Sequence, residues 1–336
     1  MLTDRRANKS HYPTTKRKPV LRGSSDNDIP TYRRIMSHVS ERKSLYIVLF
    51  SIFLIYGCLR ICRVDVWESP KIFSYDLLRT FKSDRTCFVQ GVVSWSDDKV
   101  LQCCGGFGDS RIQLLDLNTG DRRVLWRPDD PGIFLEGCAW MSESELAVLT
   151  WKNKLIYKIS ITSVGSGVPA ASVVSTYFYA HQGWGLAAFE NILVSSDGTA
   201  TLRFFENLHE VRNCTVVVNS TPVWWINALT VKGDSIYANI YMKMDPIGWP
   251  GWIIEIDKSC KVVSKIAIFG LHSTSLSEHA LLNNVMNGLL WIKDELVVFG
   301  KNWEIAYAIK ISNRSFYDNT NSFEKYSSRN ISWGFH

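Results

Sequence analysis

Beyond residue 70 the chain lacks any long run of apolar residues at a 3.6-residue period, which excludes helical-bundle and α/β architectures. None of its eight cysteines forms a Cys-x-x-Cys pair, and its seven histidines show no ligand spacing. A zinc site, or a hydrolase built on an Asp/Glu/His metal cluster, is therefore not expected. No Ser-His-Asp or Cys-His arrangement stands out, so a covalent nucleophile is not expected either. Outside the N-terminal segment there is almost no net charge. The formal +6 of the whole chain is carried by residues 1–43, where eleven Lys or Arg face four Asp or Glu, a local +7. A basic tail beside a near-neutral remainder argues against a nucleic-acid partner.

That tail is rich in Ser, Thr, Asn and Arg without apolar periodicity, and is expected to be disordered. It ends at an uncharged run, residues 44–59, which apolar residues extend past Arg60 to Cys62. The run predicts a single transmembrane helix over 44–62, its far end lengthened by snorkelling of Arg60 and Arg63. Residues 1–43 are too long for the n-region of a cleaved signal peptide, so the run reads as a signal-anchor. Positive charge upstream keeps the N-terminus cytosolic. The expectation is a single-pass type II membrane protein of the endoplasmic reticulum or Golgi, with a luminal domain after a stem at 63–70. Four sequons agree with this route, at Asn213, Asn219, Asn313 and Asn330. Six cysteines (Cys87, Cys103, Cys104, Cys138, Cys214 and Cys260) fall in the luminal part. They allow up to three disulfides, in roughly fifteen connectivities among which sequence does not choose.

From Lys71 onward, short β-rich runs are broken by Asp, Gly, Asn and Ser, the pattern of an all-β domain. One run, Phe134-Leu135-Glu136-Gly137-Cys138-Ala139-Trp140, places a single carboxylate in an otherwise apolar strand. Burial of that kind demands a partner or a shifted pKa. The run also belongs to a repeat: Gln90-Gly91, Glu136-Gly137, Trp184-Gly185, Asn227-Ala228 and Asn287-Gly288 each open an apolar stretch, at intervals of 46, 48, 43 and 60 residues. Those intervals suit four-stranded propeller blades. About fourteen residues after each opening come Cys104, Trp151, Asp197, Tyr241 and Lys301 in turn. Antiparallel hairpins set each such pair side by side and gather all ten residues at one mouth of a five-bladed β-propeller, over residues 71–312. The small residue of each pair fits crowding near the axis. A strand at Ser74–Phe81 is expected to close the ring against Ile305–Ile311, and residues 313–336 form a polar tail. Asp197, in Ser-Asp-Gly, reads as a turn residue.

In order, Phe88-Val-Gln90-Gly91, Phe134-Leu-Glu136-Gly137, Leu149-Thr-Trp151, Gly183-Trp184-Gly185-Leu186, Ser196-Asp197-Gly198-Thr199, Trp225-Ile-Asn227, Met286-Asn287-Gly288-Leu289 and Gly300-Lys301-Asn302-Trp303 form a specific set. The set resembles the glutamine cyclotransferase family, the plant-type (papaya-like) glutaminyl-peptide cyclotransferases, over residues 72–311. The resemblance implies a five-bladed propeller and a site made of Phe88, Gln90, Phe134, Glu136, Trp151, Trp184, Asn227 and Lys301, with Glu136 as the acid/base group. Tyr241 stands where the family has a further Trp, and the run after its Asn has become Asn227-Ala228-Leu229-Thr230, which puts the substrate-side wall in question.

The implied reaction closes an N-terminal glutamine of a peptide or protein to pyroglutamate and releases ammonia. Nucleophile and electrophile lie in one residue, so holding a folded conformer supplies much of the rate. A carboxyl of raised pKa relays the proton, and no cofactor or metal is called for. The competing reading is a propeller that has lost catalysis and binds a luminal protein or glycan.

Overall fold

The computed structural model describes residues 69–164, 168–189, 191–241, 251–268, 270–272 and 284–315. The expected cytosolic tail and transmembrane helix, most of the stem, and Asn330 lie outside these residues. Among the described residues every regular element is a strand, and no helix is long and apolar enough to cross a membrane.

Strand β1 (Lys71–Lys82) precedes four-stranded groups. The first group is β2 (Phe88–Ser94), β3 (Lys99–Gly105), β4 (Arg111–Asp116) and β5 (Arg122–Trp126). The second is β6 (Leu135–Trp140), β7 (Glu145–Thr150), β8 (Leu155–Val164) and β9 (Val168–Phe178). The third is β10 (Leu186–Phe189), β11 (Ile192–Ser195), β12 (Thr201–Glu206) and β13 (His209–Thr215). A small ribbon, β14 (Val217–Val218) and β15 (Thr221–Pro222), leads to the fourth: β16 (Ile226–Lys232), β17 (Ser235–Ile240), β18 (Trp252–Ile256) and β19 (Val262–Ala267). The last strands are β20 (Met286–Ile292), β21 (Glu295–Gly300) and β22 (Ile305–Ser315).

Each group is an antiparallel meander, and β1 completes the last one. It runs antiparallel to β22, with Ser74 opposite Ser312 and Phe81 opposite Ala306. The closing strand expected from sequence is therefore present. Residues Lys71–Phe73 of β1 also pair parallel with β19, which fuses the fourth and last groups into one eight-stranded sheet. β22 reaches Ser315, so Asn313 sits on a strand rather than in a polar tail.

Each interface between successive groups holds its own apolar cluster, and the last group packs on the first through Phe299, Val297, Val89 and Cys87. The first strands β2, β6, β10, β16 and β20 touch in a closed cycle. Covered on both faces, they carry almost unbroken apolar or small residues, as in Leu135–Trp140, where every residue up to Ala139 is buried. The outer strands are open to water and charged: β5 begins Arg122-Arg123 and β13 carries Glu210 and Arg212. Charge on an exposed edge hinders further strand pairing. The arrangement is propeller-like.

The axis is crowded, which accounts for the small residues at its centre. A Cβ on Gly137 would lie 2.4 Å from the backbone nitrogen of Leu186, and one on Gly185 would lie 2.1 Å from the carbonyl oxygen of Asn227. Those neighbours are backbone and cannot swing aside, so glycine is needed for the first strands to meet. The remaining axial space, about 10 Å³, is lined by Gly91, Gly137, Gly185, Ala228 and Gly288, and has the size of one water.

Candidate active site

Four of the five inner hairpins shift register at the repeated motif. The shifts fall between Val89 and Gly91, Leu135 and Cys138, Ile226 and Leu229, and Met286 and Gly288. These β-bulges take Gln90, Glu136, Asn227 and Asn287 out of regular pairing, a local bend that re-aims a side chain. They also correct the pairing expected from sequence. Trp151 donates its backbone N–H to Phe134 rather than pairing with Glu136, Tyr241 donates to Trp225, and Lys301 to Val285. In each case the partner lies two residues earlier than the pairing expected from sequence, one of the two being the residue that the bulge inserts. The same mouth is nonetheless assembled.

At its base lies a belt of amides. Asn227 Nδ2 donates to Asn287 Oδ1 at 2.7 Å. Asn287 Nδ2 in turn donates to the carbonyl of Val89 at 3.0 Å and to Gln90 Oε1. All three residues are buried. Asn287 holds a repeat position but was not among the expected substrate-contacting residues; its hydrogen bonds now give it the task of fixing Gln90 and Asn227.

Above the belt runs a horseshoe of rings. Phe88 meets Phe134 edge-on at 6.2 Å, and Phe134 meets Trp151 at 5.6 Å. On the other arm Tyr241 stands edge-on to Trp184 at 5.5 Å, with Trp225 behind at 6.3 Å. Lys301 joins the two arms, its ammonium 4.7 Å from the Phe88 ring and 4.5 Å from the Tyr241 ring. Cation–π attraction suits a desolvated ammonium. Gly300 is needed beside it, because a Cβ there would stand 2.1 Å from the ring of Trp303. Asn302, with φ +59°, ties the turn to β2 by donating its N–H to the carbonyl of Cys87.

Trp151 is oriented by a 2.9 Å hydrogen bond from Nε1 to Gln182 Oε1. Trp184 lies on Gly198, whose φ of +79° and missing side chain leave room for the indole. Ser196 Oγ receives the Gly185 N–H at 2.8 Å and donates to the Asn227 carbonyl at 2.7 Å, which couples the third and fourth groups. Asp197 accepts from Thr199 and pairs with Arg203 at 3.4 Å, the structural role its turn motif suggests. Cys104, placed in the ring by the repeat, is disulfide-bonded to Cys87; Cys214 pairs with Cys260, and Cys103 and Cys138 are buried thiols. Among the described residues two disulfides form, rather than the three that these six cysteines allow.

Glu136 is buried, and no hydrogen bond reaches its carboxylate among the described residues. Burial pushes its carboxyl well above the usual carboxylate range, and attraction to Lys301 offsets only part of that. Burial likewise brings the Lys301 ammonium down to about 8, against the opposing pull of Glu136. The Tyr241 phenol is pushed up by burial and then by Glu136. The Nε1 of Trp184 is buried without a partner, a donor free to meet a ligand carbonyl. All nine residues expected from sequence thus belong to one constellation. Trp225 and Gln182 join it without having been expected, and Phe107 lies outside it, its exposed ring against Phe134 and Trp151.

A bowl of aromatic rings over an amide belt, with one buried acid and one buried cation, defines a site for a small polar group held away from water. The model of the glutamine cyclotransferase family matches residues 51–311. The chain belongs to that family. It is 26% identical over 258 residues to the glutaminyl-peptide cyclotransferase of Arabidopsis thaliana, an alignment that covers 74% of each chain. The crystal structure of Myxococcus xanthus glutaminyl cyclase is similar in fold, with a TM-score of 0.59 and 24% identity, covering 72% of this chain and 98% of that one.

Proposed function

We propose that the protein is a glutaminyl-peptide cyclotransferase whose general acid/base is Glu136, carried on a five-bladed β-propeller. The observation that supports this reading best is a buried carboxyl of raised pKa that faces a buried ammonium with no ion pair within 4.0 Å. The α-amine of an N-terminal glutamine attacks its own side-chain carbonyl: one C–N bond forms, the C–NH2 bond breaks, and ammonia leaves. Glu136 takes the proton from the attacking amine and returns it to the departing nitrogen, a relay worth about 10²–10⁴-fold. Lys301 and the Trp184 N–H are placed to stabilise the oxyanion of the tetrahedral intermediate. The rings of Phe88, Phe134, Trp151, Trp184 and Tyr241 press the side chain into its folded conformer.

The altered Asn227-Ala228-Leu229-Thr230 run does not weaken this reading. Ala228 lines the axis, while Leu229 and Thr230 are buried on β16 opposite Ala238 and Tyr237. Tyr241 keeps an aromatic face toward Trp184 and Lys301.

Residues 44–62 anchor the protein as a single-pass type II membrane protein, and the catalytic domain faces the lumen of the endoplasmic reticulum or Golgi. Two disulfides fit an oxidising compartment. Asn213, Asn219 and Asn313 are exposed, as glycan acceptors must be. The test uses the full chain from a secretory host, solubilised in detergent and given a peptide with N-terminal glutamine. Ammonia release with the matching mass loss, abolished by Glu136→Gln, is expected. Undiminished turnover in that variant, or none in the folded, glycosylated wild type, would overturn the reading.

A further inference from the structure

We propose that Phe107 forms the outer wall of a subsite for the residue that follows the glutamine, so that peptides with an aromatic or bulky apolar second residue are preferred. The inference rests on the cyclotransferase reading above. Phe107 is 62% exposed, yet its ring packs against Phe134 at 5.3 Å and Trp151 at 6.4 Å. It therefore continues the aromatic wall of the pocket outward into solvent.

The ring is held rather than free. It sits in Gly105-Gly106-Phe107-Gly108, where Gly106 and Gly108 have φ of +144° and +76°. Gly108 donates its N–H to the carbonyl of Pro131 at 2.8 Å, and the Ser110 N–H closes back on Gly106 at 2.8 Å. Ser110 Oγ accepts from the Leu135 N–H at 3.0 Å, which pins the loop to the strand that carries Glu136. The exposed remainder of a large aromatic ring on a pinned loop gains packing only from something that arrives.

Substrate geometry says what arrives. The glutamine must bring its amine and amide to Glu136, so the peptide leaves outward from its own carbonyl. The next Cα follows at about 3.8 Å. Phe134 precedes Glu136 by two residues, at most roughly 7 Å of chain, so the second side chain reaches the level of Phe134, Trp151 and Phe107. Trp151 has one approach already occupied, with the Lys152 ammonium 4.2 Å from its ring. Phe107 is the ring left open there.

The test measures kcat and KM of the full chain for Gln-Phe-Ala-amide and Gln-Gly-Ala-amide by ammonia release. The wild type should favour the Phe peptide by about 3- to 10-fold in kcat/KM, the range of one aromatic contact. Phe107→Ala should abolish the preference through KM for the Phe peptide alone, Phe107→Tyr should keep it, and Phe178→Ala, which removes a ring 74% exposed on β9, should leave it unmoved. A preference unaffected by Phe107→Ala, or both peptides weakened equally, would overturn this inference while the catalytic reading stood. Failure of the wild type to turn over either peptide would overturn both.

Discussion

Glu136 and Lys301 shift each other's protonation without touching. The acid lies in the second group of strands and the ammonium in the turn after β21, and each is buried with the other as its opposing charge. Their attraction only partly offsets desolvation, so both stay displaced toward their neutral forms. A closed ion pair would instead have stabilised the charged forms and left a carboxylate too weak as a base and an ammonium too reluctant as a donor.

The first prediction concerns Glu136→Gln. Activity should fall by about 10²–10⁴-fold, the worth of general acid/base catalysis. Stability should move the other way. The native pKa of Glu136 is raised above its ordinary 4.5, so its favourable contribution is present below that value and lost as pH rises through the native one. The Gln variant has no such loss. Its melting temperature should exceed that of the wild type at about pH 8, and the gap should close toward about pH 5. A gap that widened on acidification would contradict the assignment.

The second concerns the alkaline limb of the rate profile. The substrate amine must be neutral, which favours rising pH, but the Lys301 ammonium is lost as pH passes about 8. The kcat/KM profile should therefore turn down above that value. Lys301→Arg, which stays protonated, should remove the downturn if the larger guanidinium is accommodated, and Lys301→Met should lower activity across the range. A downturn that persists unchanged in an active Lys301→Arg enzyme would assign it elsewhere.

The third uses Tyr241. Its ring covers Lys301, and burial is the main reason for the lowered lysine pKa. Tyr241→Ala admits water, so the lysine pKa should rise toward its ordinary value and the alkaline limb should move up with it. Tyr241→Trp keeps an aromatic cover and should leave the limb in place. Profiles measured on one peptide for the three proteins decide the matter.

Sequence made the outline legible because the repeat is enforced at the axis. Gly91, Gly137, Gly185, Ala228 and Gly288 must be small for the first strands to meet, and their spacing revealed the unit. The polar residue beside each was legible for the same reason. The bulges were not legible: a register shift leaves no mark on hydrophobic alternation when the strand is buried on both faces, as at Leu135–Trp140. The bulge accounts for one of the two residues by which the partners of Trp151, Tyr241 and Lys301 were placed late. Phe107 escaped notice because it belongs to the loop between β3 and β4, outside the repeated motif, although an aromatic set between glycines is an unusual choice for an exposed turn.

The fourth prediction tests the amide belt. Asn287 is fully buried and satisfies the Val89 carbonyl, Gln90 and Asn227 together. Asn287→Ala leaves these groups unpaired, at a cost on the order of 1–3 kcal/mol each where water does not replace the amide. The denaturant midpoint should drop, and kcat should fall because Gln90 and Asn227 lose their orientation. Unchanged kcat in a folded variant would show that the belt serves stability alone.

The two disulfides should separate stability from catalysis. Their sequence separations are 17 for Cys87–Cys104 and 46 for Cys214–Cys260. Loop-closure entropy gives about 3 and about 4 kcal/mol of stabilisation respectively. Their positions differ more than their strengths. Cys87 precedes Phe88 and accepts the N–H of Asn302, beside Lys301, so the first bridge holds two site residues in place. The second joins β13 to the turn before β19, at the outer strands of the third and fourth groups. Replacing Cys214 and Cys260 by Ala should lower the unfolding midpoint and leave kcat at low temperature nearly intact. Replacing Cys87 and Cys104 should lower both. Equal loss of kcat in the two double variants would mean that the first bridge has no particular hold on the site.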